Sequence, residues 1–292
     1  MKMKDDFTDY LKAKGLSHST IETYEAIIVR FREWLQKQNT EPEQVRYADV
    51  LVYMKHCQQQ GVTQRTIQSY LLGVKNFYEY LIEQQRIKTN PVLNIKVQGI
   101  KRKTLYHILE PHELHAIYHS YQTVTLSEKR NKVMLGLLVY QGVKSEDLFR
   151  LEVQDIKLRE GKVEVHASRK TNARTLQLEP HQVLDIYDYV MQIRPQIIQQ
   201  SGEKTERLFV GQEGGKHQHR FLQTMMDQLC TQHPKLNVKQ IRASVIVKWL
   251  RQYNLREVQY LAGHRYISST EAYQQNEMEG LSEEVNQFHP LG

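Results

Sequence analysis

The sequence predicts a mainly α-helical protein of two domains, with a small three-stranded antiparallel sheet in the second domain. Three observations support this prediction. Apolar residues recur at helical spacing through the first 90 residues, short alternating segments occur between residues 153 and 178, and helical spacing then returns. A chain of 292 residues is long enough to bury a core in each of two domains.

The first domain is expected to span residues 1–90 and to consist of helices. The hydroxyls of Ser17–Thr20 can cap a helix whose apolar residues follow at helical spacing. A second helix is predicted over about 46–60, and a third begins near Thr63. The domain closes just before Pro91, because a residue that precedes proline disfavours the helical conformation.

Residues 91–107 are expected to form a linker. This segment has no acidic residue, and its four cations are Lys96, Lys101, Arg102 and Lys103. Two interpretations are open. The segment is either a solvated connector or a basic strap that contacts a phosphate backbone and releases counterions on binding.

The second domain is expected to span residues 108–292. It begins with predicted helices at about 110–119 and at Lys129–Gln141. The period then changes to the alternation of β-strands, and the predicted strands are Val153–Leu158, Val163–Ala167 and Thr175–Leu178. The helical pattern resumes at Gln182.

Composition and residue patterns argue against a secreted, a disulfide-bonded and a membrane-spanning protein. The 40 basic and 33 acidic residues leave a net charge of +7, which is compatible with a polyanionic partner but does not prove one. No apolar run approaches the roughly 18 residues of a membrane span, and no apolar signal segment is seen. Cys57 and Cys230 lie too far apart for a metal or redox motif. We therefore expect a cytoplasmic protein without disulfides.

One predicted helix carries a histidine-rich group: His112, Glu113, His115 and His119. A zinc-protease motif needs two residues between its glutamate and the second histidine, and this sequence has one. We therefore expect no metal site here. No cofactor is expected either, because the sequence lacks a phosphate-binding loop and a dinucleotide fingerprint.

The most informative segment is Lys239–Gln275. Lys239 and Arg242 lie one turn apart at the start of a predicted helix, where two cations and backbone N–H groups suit a phosphate. Two solvated surface charges would give the same pattern. The segment continues to Gly263-His264 and reaches Tyr273 nine residues after the histidine.

This segment resembles the C-terminal signature of the tyrosine recombinases, or phage-type integrases. Lys239-x-x-Arg242 stands where that family carries His/Lys-x-x-Arg. Upstream, Tyr140–Leu148 resembles the block around the family's first arginine, and Arg169–Thr175 resembles its β-hairpin turn with the catalytic lysine. With the helical first domain, which is similar to the family's core-binding domain, the resemblance covers the whole chain.

The resemblance implies a DNA strand transferase. In that reaction Tyr273 attacks a phosphodiester and leaves a 3′-phosphotyrosyl link and a 5′-hydroxyl. The family pattern places Arg242, Lys239 and His264 on the scissile phosphate, where fixed cations stabilise the charge of the transition state. It assigns Lys170 as the general acid that protonates the departing oxygen.

One position departs from the family pattern, because Lys144 replaces the first arginine. Lysine keeps the charge but loses the planar fork that holds two phosphate oxygens. Asp147 stands where the family has a carboxylate that braces this arginine. Three outcomes are open: Lys144 performs the role, a neighbouring arginine performs it, or cleavage is lost. The neighbouring arginines are Arg150, Arg169 and Arg174.

The choice of nucleophile needs a separate argument, since the chain has 17 tyrosines. Tyr260 and Tyr266 flank the Gly-His pair, and each is an alternative. Only Tyr273 has the family's offset from His264, so it is the predicted nucleophile.

The leading interpretation is a site-specific DNA recombinase. Its rivals are a cleavage-defective DNA-binding relative, a type IB topoisomerase-like relaxase and a plain helical interaction protein. The resemblance implies a two-domain clamp on duplex DNA with inverted-repeat half-sites. It also implies a tetramer on DNA and a monomer or weak oligomer without it. The expected DNA contacts are Lys101, Arg102, Lys103, Arg169 and Arg174.

The C-terminal tail carries an apolar stripe of Leu281, Val285 and Phe288 at helical spacing, with four acidic residues and no Lys or Arg. The stripe either packs on its own domain or, as the resemblance implies, docks in an adjacent protomer.

Overall fold

The computed structural model describes residues 2–100, 107–211 and 218–275. The chain divides into two compact units, Met1–Lys103 and Thr104–Gly292. Both are mainly helical over the described ranges, and the second carries a three-stranded antiparallel sheet, so the predicted fold class is confirmed. No helix within these ranges is long and apolar enough to cross a membrane.

The described part of the first unit is a group of four α-helices. They are α1 (Lys2–Ala13), α2 (His18–Lys37), α3 (Tyr47–Gln59) and α4 (Gln64–Glu83). Ser17 and Thr63 cap α2 and α4, because each hydroxyl accepts a hydrogen bond from the backbone N–H three residues later. The apolar faces of α2 and α4 meet in the core of this unit.

Helix α1 was not expected from the sequence. Among the described side chains of this helix, only Phe7 and Leu11 are buried, and Tyr10 packs partly buried against the same core. The Phe7 ring packs edge-on against Phe77 of α4, with ring centroids 5.6 Å apart. Tertiary packing therefore selects a helix that local periodicity only weakly specifies.

The second unit begins with α5 (Pro111–Ser120), α6 (Leu126–Val139) and α7 (Ser145–Leu148). After the sheet come α8 (Pro180–Asp188), α9 (Arg194–Ser201), α10 (Gln218–Gln232), α11 (Val238–Leu250), α12 (Leu255–Ala262) and a helical stretch over 268–275. Helix α6 lies at the centre of this unit, in contact with α5, α8, α10 and α11. It begins three residues earlier than predicted, because Thr125 and Glu128 form a capping box.

The sheet has the order β1-β2-β3 and consists of β1 (Ile156–Lys157), β2 (Lys162–Val165) and β3 (Arg174–Gln177). Strand β1 is shorter than the predicted Val153–Leu158. Residues Val153–Asp155 form a 3₁₀ turn instead, since the Asp155 carboxylate accepts the Glu152 backbone N–H at 2.8 Å.

Candidate active site

The second unit brings the four sequence motifs together around Arg242 on α11. Gly142, with φ +53°, makes the turn after α6 and directs its carbonyl at the Arg242 guanidinium. Arg242 also donates to the Ala262 carbonyl at the end of α12, at 2.7 Å. Two loops that are distant in sequence are thus joined by one buried arginine.

Burial controls the electrostatics of Arg242. Its side chain is 7% exposed, and desolvation lowers its pKa to about 10, while Tyr273 acts in the opposite direction. The arginine remains protonated at neutral pH. The contacts to Gly142, Ala262 and His264 use three of its five N–H donors, so donors remain for an anion.

His264 is buried beside Arg242 and is neutral. Its Nε2 lies 3.3 Å from Arg242 Nη2, and because arginine can only donate, Nε2 is the acceptor. The ring proton therefore sits on Nδ1, which donates to Thr270 Oγ1 at 2.9 Å. Burial first, and then the charges of Arg242, Lys144 and Arg174, lower the pKa of His264 to about 3.

Tyr273 lies on the helical stretch 268–275 and is half-buried. Its ring stacks on His264 with centroids 5.9 Å apart and planes inclined by 15°. The alternative tyrosines differ. The Tyr260 hydroxyl accepts the Thr175 N–H at 3.0 Å, and Tyr266 is 70% exposed. Of the three tyrosines, Tyr273 is the one stacked on the buried histidine.

Asp147 forms a buried ion cluster beneath the site. Its carboxylate accepts from Arg150 Nη2 at 2.9 Å, Arg174 Nη2 at 3.2 Å and Thr171 Oγ1 at 3.2 Å. The family pattern implied that Asp147 braces the residue at position 144. Among the hydrogen bonds of the described residues, its partners are instead these two arginines and a threonine.

Lys144 is half-buried at the N-cap of α7. Desolvation and the nearby charge of Arg242 lower the pKa of its ammonium group, and Asp147 raises it in part. Lys144 is therefore within electrostatic reach of the same group of residues.

Lys170 and Lys239 are both solvent-exposed. Lys170 lies in the loop between β2 and β3, where its Nζ pairs with Glu146 at 3.1 Å. This loop is tied to the Gly263–His264 segment: the Asn172 N–H donates to the Gly263 carbonyl at 3.1 Å, and Thr171 forms a β-bridge with His264. The loop thus holds Lys170 near the histidine motif.

The expected DNA contacts fall into three groups. Arg169 is exposed in the β2–β3 loop. Arg174 departs from the expectation, because its side chain has 0% exposure and lies inside the site. Lys101, Arg102 and Lys103 lie outside the described residues, as does the tail stripe at Leu281, Val285 and Phe288.

Sequence reasoning assigned no role to Thr171 and Thr270, which are 1% and 0% exposed. Both lie inside the quoted motifs, and each hydroxyl bonds a charged or titratable site residue. Their burial is a tertiary property that the sequence pattern does not reveal. Among the described residues, no group of three or more His, Cys, Asp or Glu side chains is arranged to hold a metal ion.

Comparison with known proteins agrees with this geometry. Residues 107–279 match the Phage integrase family, and residues 5–85 match the Phage integrase N-terminal SAM-like domain. Tyrosine recombinase XerC of Bacillus licheniformis is 26% identical over 97% of this chain and 95% of the relative. Tyrosine recombinase XerD of Listeria innocua is 24% identical over 98% of each.

Solved structures share the fold. A XerH site-specific recombinase bound to palindromic difH substrate has a TM-score of 0.72 at 17% identity, over 93% of this chain and 81% of that one. A lambda integrase dimer bound to a COC' core site has a TM-score of 0.67 at 14% identity, over 94% and 76%. The chain therefore belongs to the phage integrase family, the tyrosine recombinases, which cleave and rejoin DNA.

Proposed function

We propose that the protein is a site-specific recombinase that cuts and rejoins duplex DNA through a 3′-phosphotyrosyl intermediate on Tyr273. The observation that best supports this proposal is the stacking of the Tyr273 ring on the buried, neutral His264, beside the Arg242 guanidinium. A nucleophile, a fixed cation and the neutral histidine that contacts both then occupy one site.

The proposed cleavage step exchanges one ester for another. Tyr273 Oη bonds to phosphorus while the bond between phosphorus and the 5′-oxygen breaks. A phenol has a pKa near 10, so in this proposal it gives up its proton to water as the new ester bond forms. His264 stays neutral and holds the Arg242 guanidinium through its Nε2. Arg242 and Lys144 stabilise the charge on the nonbridging oxygens. The reverse reaction, with a 5′-hydroxyl from another strand, rejoins the DNA.

Lys170 donates the proton to the departing 5′-oxygen in this proposal. In the structure its ammonium group pairs with Glu146, and both side chains are more than half exposed. An exposed pair of this kind is weak, so bound DNA can replace the carboxylate at little cost. Lys239 is exposed in the first turn of α11, and in this proposal it contacts the backbone phosphate.

The positive charge of the site takes the place that a metal ion holds in other phosphoryl-transfer enzymes. Arg242 and Lys144 supply cations, and the remaining guanidinium N–H groups supply donors. We propose that cleavage needs no metal.

The wider assembly follows from the same proposal. We assign residues 1–90 to DNA binding, 91–107 to a basic linker and 108–292 to catalysis. The XerH relative is bound to a palindromic substrate, which supports a target of two inverted half-sites here. Four protomers would then act together, joined by the tail stripe of Leu281, Val285 and Phe288.

The test is covalent capture of DNA. A duplex drawn from inverted repeats that flank the gene, nicked near the exchange point, traps the intermediate because the short cleaved strand diffuses away. Wild type, Tyr260→Phe and Tyr266→Phe should form the covalent band, and Tyr273→Phe should bind the duplex but form none. A band in Tyr273→Phe would refute the assignment. No band with the wild-type protein would favour the cleavage-defective relative.

A further inference from the structure

Arg174 is a charged residue at a core-facing position of the sheet. It is the first residue of β3 and pairs with Val165 of β2. The buried residues of β3 are Arg174 and Leu176. The Arg174 side chain is 0% exposed. Burying a guanidinium destabilises the folded protein, because the charge loses its hydration, unless hydrogen bonds and opposite charges compensate for that loss.

The contacts of Arg174 connect three parts of the site. Nη2 donates to Asp147 Oδ2 at 3.2 Å, three residues after Lys144. The guanidinium also lies against Gly263, where an added Cβ would stand 2.5 Å from Nη1. Because Gly263, the neighbour of His264, has no side chain, it leaves room for the Arg174 guanidinium. The Nε atom is buried and has no hydrogen-bond partner among the described residues.

The charge of Arg174 reaches the other site residues. It lowers the pKa of Arg242, of Lys144 and of His264, although burial is the larger cause for each. Asp147 is the buried carboxylate that faces these cations. The cluster thus has an excess of positive charge, which an anion such as a phosphate would balance.

Arg150 and Arg169 are less suited than Arg174 to supply the guanidinium that is missing at position 144. The Arg150 side chain is 41% exposed and bonds Asp147 from the outer side, together with the carbonyls of His166 and Ala167. Arg169 is exposed, and its carbonyl accepts from Arg265. The charges that chiefly shift the pKa values of Arg242, Lys144 and His264 are those of other residues.

We propose that Arg174 replaces the guanidinium that is missing at position 144, as a positioning residue supplied by β3. It acts through Asp147, which anchors α7 below Lys144, and through Gly263, which carries His264. This inference rests on the proposed function, because it assumes that the scissile phosphate sits among Lys144, Arg242 and His264. Lysine at position 144 is then sufficient for cleavage, since the planar guanidinium that orders the phosphate site comes from Arg174 on β3.

The test is a double-mutant cycle on the full-length protein with the nicked duplex. Arg174→Met should slow formation of the covalent band about a hundredfold while duplex binding is retained, as loss of a preorganising group does. The effect of Lys144→Arg alone is measured in parallel, and the rescue is counted as the gain of the double variant beyond that effect. The double variant Arg174→Met with Lys144→Arg should recover at least about tenfold over Arg174→Met, because the guanidinium returns by the other route.

Arg130→Met is the matched control. Arg130 is another buried arginine of the same unit, and it bonds the Val210 carbonyl and stacks on Phe221. Its loss should lower the melting temperature without slowing cleavage of the folded protein, and Lys144→Arg should restore nothing in that background. A purely structural role of Arg174 would give the same result as this control and would overturn the proposal.

A second variant covers the case in which Arg174→Met does not fold. Arg174→Lys keeps the charge but cannot reach Asp147 and cover Gly263 at once, so it should also cleave more slowly and be rescued by Lys144→Arg. Wild-type cleavage by Arg174→Lys, or failure of the rescue, contradicts the proposal. Failure here leaves the Tyr273 result untouched, so the two proposals are tested separately.

Discussion

Burial decides what each charged residue of the site can do. Arg242 and His264 are almost fully covered and share a hydrogen bond, which fixes one as a cation and the other as a neutral acceptor at pH 7. Lys170 and Lys239 are exposed. In the proposed function, bound DNA orders their side chains. The site thus has a preformed centre and two outlying cations.

The buried histidine gives a prediction for stability. The pKa of His264 is about 3 in the folded protein, compared with 6.5 for an ordinary histidine. Below pH 6.5 the unfolded chain takes up a proton that the folded site does not, so stability falls as the pH falls from 6.5 towards 3. The slope contributed by this residue is at most about 1.4 kcal/mol per pH unit.

Thermal melts across this pH range measure the effect. Wild type should lose melting temperature more steeply than His264→Asn on acidification, because asparagine does not titrate and the other histidines are common to both proteins. Parallel curves would show that His264 is not held neutral by its surroundings.

Motifs predicted the residues of the centre but not their environment. Arg242, His264 and Tyr273 could be chosen from the resemblance to the family, which fixes their order along the chain. The burial of the Arg174 side chain could not be predicted from the sequence. A single arginine at the start of a short strand gives the same sequence pattern whether it faces solvent or the core.

At the scale of elements, the β2–β3 loop matters most. Backbone hydrogen bonds join Asn172 to Gly263, and the Arg265 guanidinium donates to the Arg169 carbonyl at 2.8 Å. The loop that carries Lys170 is therefore positioned by the histidine motif and not by the sheet alone. A loop held by these hydrogen bonds, with an exposed ammonium group at the end of the Lys170 side chain, suits the proposed proton donor.

A change of leaving group tests this role. Lys170→Ala should form the covalent band slowly on ordinary DNA, because the departing 5′-oxygen lacks a proton donor. Replacement of that oxygen by sulfur should restore the rate, since a thiolate departs without a proton. A defect that persists on the sulfur-containing duplex would identify Lys170 as a binding residue.

Caps and periodicity predicted α2 and α4 well, because Ser17, Thr63 and the apolar stripes act locally. They predicted the sheet less well. Strand β1 is two residues long because a side-chain bond from Asp155 converts its expected first half into a turn. Competition of this kind depends on geometry and is not visible in an alternating pattern.

In the proposed assembly of the whole molecule, several protomers act in concert. The proposed link is the tail stripe, which lies beyond the described residues. Replacing Leu281 and Phe288 together by Asp should leave a folded monomer that binds one half-site but loses cooperative binding and strand exchange. Gel-shift titration and analytical ultracentrifugation measure this. A double variant that unfolds as a monomer would mean that the stripe packs on its own domain.

The proposed mechanism requires that Tyr273 becomes linked to DNA. Mass spectrometry of the trypsin-digested covalent complex tests it most directly, because cleavage after Arg256 and Arg265 puts Tyr260 on one peptide and both Tyr266 and Tyr273 on the next. We predict that the nucleotide mass lies on the second peptide and that fragment ions place it on Tyr273. Its presence on Tyr260 or Tyr266 would contradict the account.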